Sequence, residues 1–155
     1  MTRPEALGAV VHGPVLLGRS PGVAVGLRCV FAHPGGLDLP LVLVAVNVHA
    51  DAARRQAGPR AAPMGTAAPT SEGWSGLRVW AEAGDRTGEV LPYGGGESAS
   101  DDRYTQEAGY WIDLLPADGT LRLVVSWPQV GLAEHSTLLR FPNLAEAALA
   151  TISLA

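Results

Sequence analysis

Lysine is absent from the 155 residues, so all 11 basic side chains are arginine. Together with abundant Ala, Gly and Pro this reads as the coding bias of a GC-rich genome, although arginine also brings a planar fork that stacks on aromatic rings as lysine does not. Cysteine is nearly absent too. Cys29 stands alone, which excludes an internal disulfide and fits a reducing compartment. Positive charge is in deficit, 11 Lys+Arg against 15 Asp+Glu, for a net charge of -4. That balance exerts no general pull on phosphate backbones or anionic lipid, so neither nucleic acid nor a membrane surface is expected as a partner. Long apolar runs are missing as well: no stretch reaches the ~20 residues of a membrane helix. Met1-Thr2-Arg3-Pro4-Glu5 lacks the basic-then-apolar layout of a secretory leader. A cytoplasmic location is expected. What is present is 47% hydrophobic content, and a chain of this length buries roughly 70% of its unfolded surface, enough for one core without a metal or disulfide. One domain over residues 1–155 follows.

Val23, Val25, Leu27, Cys29 and Phe31 alternate with Ala24, Gly26, Arg28 and Val30, the period of a strand. His33-Pro34-Gly35-Gly36 supplies turn chemistry, and a second extended run from Leu37 to Ala50 completes a hairpin. A shorter strand is expected from Val10 to Leu17. Residues 51–73 lose all periodicity and read as a flexible Ala/Pro/Gly-rich loop. Further strands are expected at Leu77–Ala83, Glu89–Tyr93, Tyr104–Leu114, Thr120–Trp127 and Ser136–Phe141, with a Gly-rich loop at 94–103. Asn143 stands three residues before Glu146, as in a capping box, and Ala147 to Ile152 is expected to be a short C-terminal helix. Seven to eight strands without βαβ alternation predict a mainly β protein: an antiparallel β-sandwich, Ig-like or jelly-roll-like, with that one helix.

The order of Gly22-Val23-Ala24-Val25, the Gly-rich loop, Tyr110-Trp111, Leu115-Pro116, Gly119, Leu121, Ser126-Trp127-Pro128, Gly131-Leu132 and Glu134 resembles a group of uncharacterised actinobacterial β-sandwich proteins. The resemblance spans most of the chain outside the two loops. It implies the strand order and no activity.

Motifs that carry chemistry are incomplete. Cys29, His33, His49 and Asp51 are metal-ligating types, but pairing 33 with 36 sends His49 to the far end of the hairpin, and no zinc spacing is present. Glu134-His135-Ser136 are neighbours on one strand, so their side chains alternate between faces and cannot form a triad. Gly94-Gly95-Gly96-Glu97-Ser98 lacks the Gly-Lys-Ser/Thr of a phosphate loop and no helix follows it. Asp85, Asp101, Asp102 and Asp118 lie in separate turns and match no EF-hand loop. No metal and no cofactor is expected.

The aromatic residues say more. Alternation places Trp80 with Arg78 and Glu82 on the polar face of one strand, and Trp111 with Asp113 on the outer face of another, while Trp127 aligns with Leu121, Leu123 and Val125 in the core. Trp80, Trp111, Arg78 and Tyr93 are therefore the candidate ligand residues, as a platform for a sugar ring or a peptide, against the alternative of cross-strand Trp–Arg stacking. A hairpin between the Trp111 and Leu121 strands predicts an Asp113–Arg122 pair. If Val42, Val44, Val46 and Val48 face the core, then Leu39, Leu41 and Leu43 face outward and need cover, from the C-terminal helix or from another protein. These three leucines are the candidate interface. Since no His, Cys or acid set converges, a non-enzymatic protein-interaction or assembly module is the leading expectation, binding an unknown partner or itself. A small-ligand or carbohydrate binder is the alternative, and an enzyme assembled from distant residues the third.

Overall fold

The computed structural model describes residues 5–57 and 75–154. Among the described residues thirteen strands and two α-helices follow one another. The strands are β1 (Ala6–Leu7), β2 (Ala9–His12), β3 (Val15–Ser20), β4 (Val23–Leu27), β5 (Val30–His33) and β6 (Gly36–Val46). Helix α1 (Val48–Ala57) precedes β7 (Arg78–Ala83), β8 (Arg86–Val90), β9 (Pro92–Ser100), β10 (Arg103–Ile112) and β11 (Thr120–Trp127). A 3-10 turn at Pro128–Val130 leads to β12 (Leu132–Arg140), α2 (Leu144–Leu149) and β13 (Ile152–Ser153). The larger sheet has seven strands in the order β2-β5-β6-β10-β9, with β4 also on β6 and β3 on β4. The smaller has the order β12-β11-β7-β8, and β1 pairs with β13. Every pair is antiparallel.

The two larger sheets close face to face like a sandwich. They meet along β3 and β12, where Ala133 N–H donates to Ser20 Oγ at 3.1 Å and the Thr137 hydroxyl to the Leu17 carbonyl at 3.5 Å. Between them lie Val25, Leu27, Leu41, Leu43, Tyr104 and Tyr110 from one side and Val79, Leu121, Leu123, Val125, Trp127 and Leu132 from the other, all buried. Trp127 is core, as its alternation predicts, with its indole N–H on the Ser75 hydroxyl at 2.8 Å.

The hairpin register holds at the turn and fails beyond it. His33 pairs with Gly36 and Phe31 with Asp38, as the turn chemistry implies. At Arg28-Cys29 the long strand breaks into β4 and β5, and Arg28 N–H bonds the Pro40 carbonyl at 3.0 Å across the irregularity. Leu27 then pairs with Leu41 and Val25 with Leu43. One extra residue reverses the face of everything past it. So Leu39, Leu41 and Leu43 are buried in the core at 1–3% exposure, and Val42 and Val44 take the outer face. This corrects the outward placement of the leucines: they are neither an exposed interface nor a dock for the C-terminal helix.

Other departures have local causes. The extended run ends at Val46, because Asn47 takes a left-handed conformation (φ 56°) and α1 begins at Val48. Residues 51–57 of the expected loop are thus helical; 58–73 lie outside the described residues. The Gly-rich segment expected as a loop at 94–103 is instead β9, the turn at Asp101-Asp102 and the start of β10, with Gln106 opposite Glu97 and Thr105 opposite Ser98. Helix α2 spans Leu144–Leu149, and Asn143 is left-handed without a side-chain cap, so the expected capping box does not form. Its Leu144 and Ala148 are buried beside β2 and β5, whereas Leu149 and Ile152 stay exposed. Among the described residues no helix is long and apolar enough to cross a membrane.

Candidate functional site

The four residues singled out for ligand binding divide between the two sheets. Trp80 lies on the outer face of β7, 39% exposed, opposite Glu89 of β8 and Val124 of β11. Arg78 is on the same face, and its guanidinium pairs with Glu89 at 3.0 Å. Tyr93 and Trp111 belong to the larger sheet, on β9 and β10. They do meet. Both line a cleft of about 420 Å³ where β8, the β8–β9 connection and the end of β10 come together, with Arg86, Leu91, Ile112 and Asp113. Trp80 and Arg78 are not part of it, so the platform of four becomes a pair.

A bulge puts Tyr93 there. Gly94 pairs with Gly109 but Tyr110 with Pro92, which leaves Tyr93 as the extra residue of β9. Bulges re-aim a side chain. The ring folds over Gly109, where a Cβ would overlap it, and the hydroxyl donates to Asp38 Oδ1 at 2.8 Å. Asp38 is 3% exposed although it lies on the outer face of β6. Trp111 is its direct neighbour on β10, packed across Gly36 and edge-on to His33 at a centroid distance of 5.6 Å. Tyr93 and Trp111 thus form, with the buried Asp38 and His33 beneath them, a small cluster outside the main core, in which Trp111 is half-buried and Tyr93 stays exposed. A lone Asp between Leu37 and Leu39 was the available sign of it, since a charge inside an apolar run is either an edge or a buried acceptor.

Cys29 is half-buried at the β4–β5 junction. Burial pushes its thiol pKa up, the Asp38 carboxylate adds to the rise, and Arg28 opposes it. The alternation that groups it with Val25 and Leu27 breaks at this junction, and Cys29 does not join them in the core. His49 is elsewhere, on α1, with Nδ1 on the Val130 carbonyl at 2.8 Å, and Asp51 pairs with Arg54. Among the described residues no three His, Cys, Asp or Glu side chains gather at metal-binding distance. Asp118 is occupied locally: the Thr120 backbone N–H and hydroxyl donate to it at 3.0 and 2.9 Å and hold its pKa down. The Asp113–Arg122 pair does not form, because β10 and β11 lie in different sheets. Arg122 instead approaches Glu82 at 3.7 Å and Ser136 at 3.0 Å.

The feature that sequence reasoning missed is the edge formed by β9. All nine residues of the strand are exposed, one side pairs with β10, and among the described residues nothing pairs the other. Glu97 accepts the Tyr104 hydroxyl, which ties the strand to the sheet from one face. Strand β8, which ends the smaller sheet beside it, is five residues long and carries Arg86 and Glu89. Natural edges are usually guarded by charge, proline or brevity; from Gly94 to Ser100 β9 has neither Pro nor cation. Comparison with protein-family models, curated proteins and solved structures finds no match for the chain.

Proposed function

We propose that this protein is a non-enzymatic interaction module that takes a strand of a protein partner along β9. The observation that supports the reading is the exposed outer edge of β9 from Gly94 to Ser100, which ends its sheet among the described residues and offers main-chain groups to an extended segment. The residue types used for catalysis are dispersed in support of this: His135 bonds the Ala133 carbonyl on an exposed strand, His33 packs on Trp111 and Cys29 is held as a thiol. The test is a photo-crosslinking side chain at position 96, in the middle of β9, compared with one at position 80 on the outer face of the smaller sheet. In the native cells the first yields a discrete protein adduct and the second does not. No adduct from 96, or equal adducts from both, would overturn the reading.

A second reading, a small-ligand or carbohydrate site, is favoured by the cleft that Tyr93 and Trp111 share, whose 420 Å³ suits a small ring-shaped ligand. Titration of tryptophan fluorescence with sugars tests it: a saturable change lost in Trp111→Phe supports it, and a flat response rejects it.

A further inference from the structure

We infer that the strand received by β9 is β9 of a second copy, paired antiparallel about Gly96; this rests on the reading of β9 as a docking edge. The two ends of this one strand are complementary in charge. At the Pro92 end stands Arg86, which lines the cleft with Pro92 and Tyr93. Beyond the Ser100 end is the turn Asp101-Asp102. Among the described residues the ion pairs include none of Arg86, Asp101 and Asp102, and all three side chains are exposed; the Arg54 guanidinium that donates to the Ser100 and Asp101 carbonyls is itself paired with Asp51. Antiparallel self-pairing lays each copy's Pro92 end beside the other's Ser100 end. It therefore brings Arg86 to the acidic turn of the other copy, twice, by symmetry. A parallel arrangement would set acid against acid.

The middle of the strand accepts the same register. With 96 opposite 96, Gly94 faces Ser98 and Glu97 faces Gly95 of the other copy, so no like charges oppose one another. Among the described residues Gly94 and Gly96 have open space where a side chain would stand, so the sheet faces beside the ladder are uncrowded at these positions. The exposed Leu91 and Tyr93 at one end come beside Ala99 and the acidic turn of the other copy, which removes part of their apolar surface from water. The larger sheet becomes continuous through the dimer, and the bulge at Tyr93 limits the shared ladder to the Gly94–Ser100 stretch.

The experiment uses the full chain with Cys29→Ser, adding Gly96→Cys, Gly94→Cys or Ser98→Cys in turn. Opposed Cα atoms in an antiparallel ladder lie about 4.5–5.5 Å apart, within disulfide reach. Gly96→Cys is expected to oxidise to a covalent dimer at least about tenfold faster than either neighbour alone, while a mixture of Gly94→Cys and Ser98→Cys cross-links to each other. Light scattering of the wild type gives a dimer; Arg86→Glu raises its Kd at least about tenfold and adding Asp101→Arg restores it. A wild type that stays monomeric at the highest soluble concentration overturns the inference. So does a dimer whose cross-linking does not peak at 96 or whose affinity ignores the charge swap. A monomer that still yields a photo-adduct of another mass from position 96 sinks the second copy and leaves the docking edge standing, whereas loss of every adduct sinks both.

Discussion

Strands β6 and β9 flank β10 on opposite sides and are built by opposite means. Strand β6 has Leu37, Leu39, Leu41, Leu43 and Ala45 on its inner face, all buried, and its register is held by apolar contacts on that face. Strand β9 has Gly94-Gly95-Gly96 at its centre and no buried residue. It is held by its ladder to β10, by Glu97 on Tyr104 and by Tyr93 on Asp38. The same backbone pairing thus serves once as the middle of a core and once as a rim. Side-chain burial makes a strand stable; without it, β9 depends on the ladder it shares with β10.

Substitutions measure that contrast. The largest effect is expected inside β6: Leu43→Ala removes buried methyl groups from a packed layer and lowers unfolding free energy by about 2–5 kcal/mol in denaturant titration. A loss under about 1 kcal/mol would place Leu43 outside the core. Tyr93→Phe comes next, since it leaves the buried Asp38 carboxylate without that donor; the cost is about 1–3 kcal/mol by the same titration, and no change would mean that the clasp is idle. Gly96→Ala in β9 should fall within about 0.5 kcal/mol of wild type, because open space surrounds the position. Amides of β9 are expected to exchange with deuterium well before those of β6 in the isolated monomer; equal protection would erase the distinction between the strands. The subtlest effect is chemical. The Cys29 thiol has its pKa raised first by burial and then by Asp38, so it stays protonated, and slow to alkylate, to a higher pH than a free thiol. Asp38→Asn moves the midpoint of alkylation against pH downward, and an unmoved or raised midpoint would contradict that coupling.

Legibility in the sequence followed the same division. The boundaries of β11 coincide with the expected Thr120–Trp127 run, because Leu121, Leu123, Val125 and Trp127 alternate without interruption and all turn inward. Strand β9 was unreadable by that signal. A strand without buried side chains has no period, and three glycines in succession look the same in a loop and on an edge. The candidate site was half legible. Trp111 and Tyr93 share a cleft, yet a bulge carries Tyr93 into place and no residue pattern announces it.

Composition and alternation alone determined that this is a mainly β chain with a core rich in Leu and Val and one short helix near its end, because burial depends on which residues recur at which spacing. Tertiary structure decided which face of β6 is inside. The turn His33-Pro34-Gly35-Gly36 predicted its own pairing correctly, but the added residue at Arg28-Cys29 is a property of two strands matched together, and it exchanged leucines for valines along the whole of the next strand. It also decided that β10 and β11 part into different sheets, which took Asp113 from Arg122, and that one glycine-rich segment is a strand that ends its sheet among the described residues. Periodicity is carried by neighbours along the chain; register, sheet membership and free edges depend on partners far from it, where a shift of one residue inverts every face.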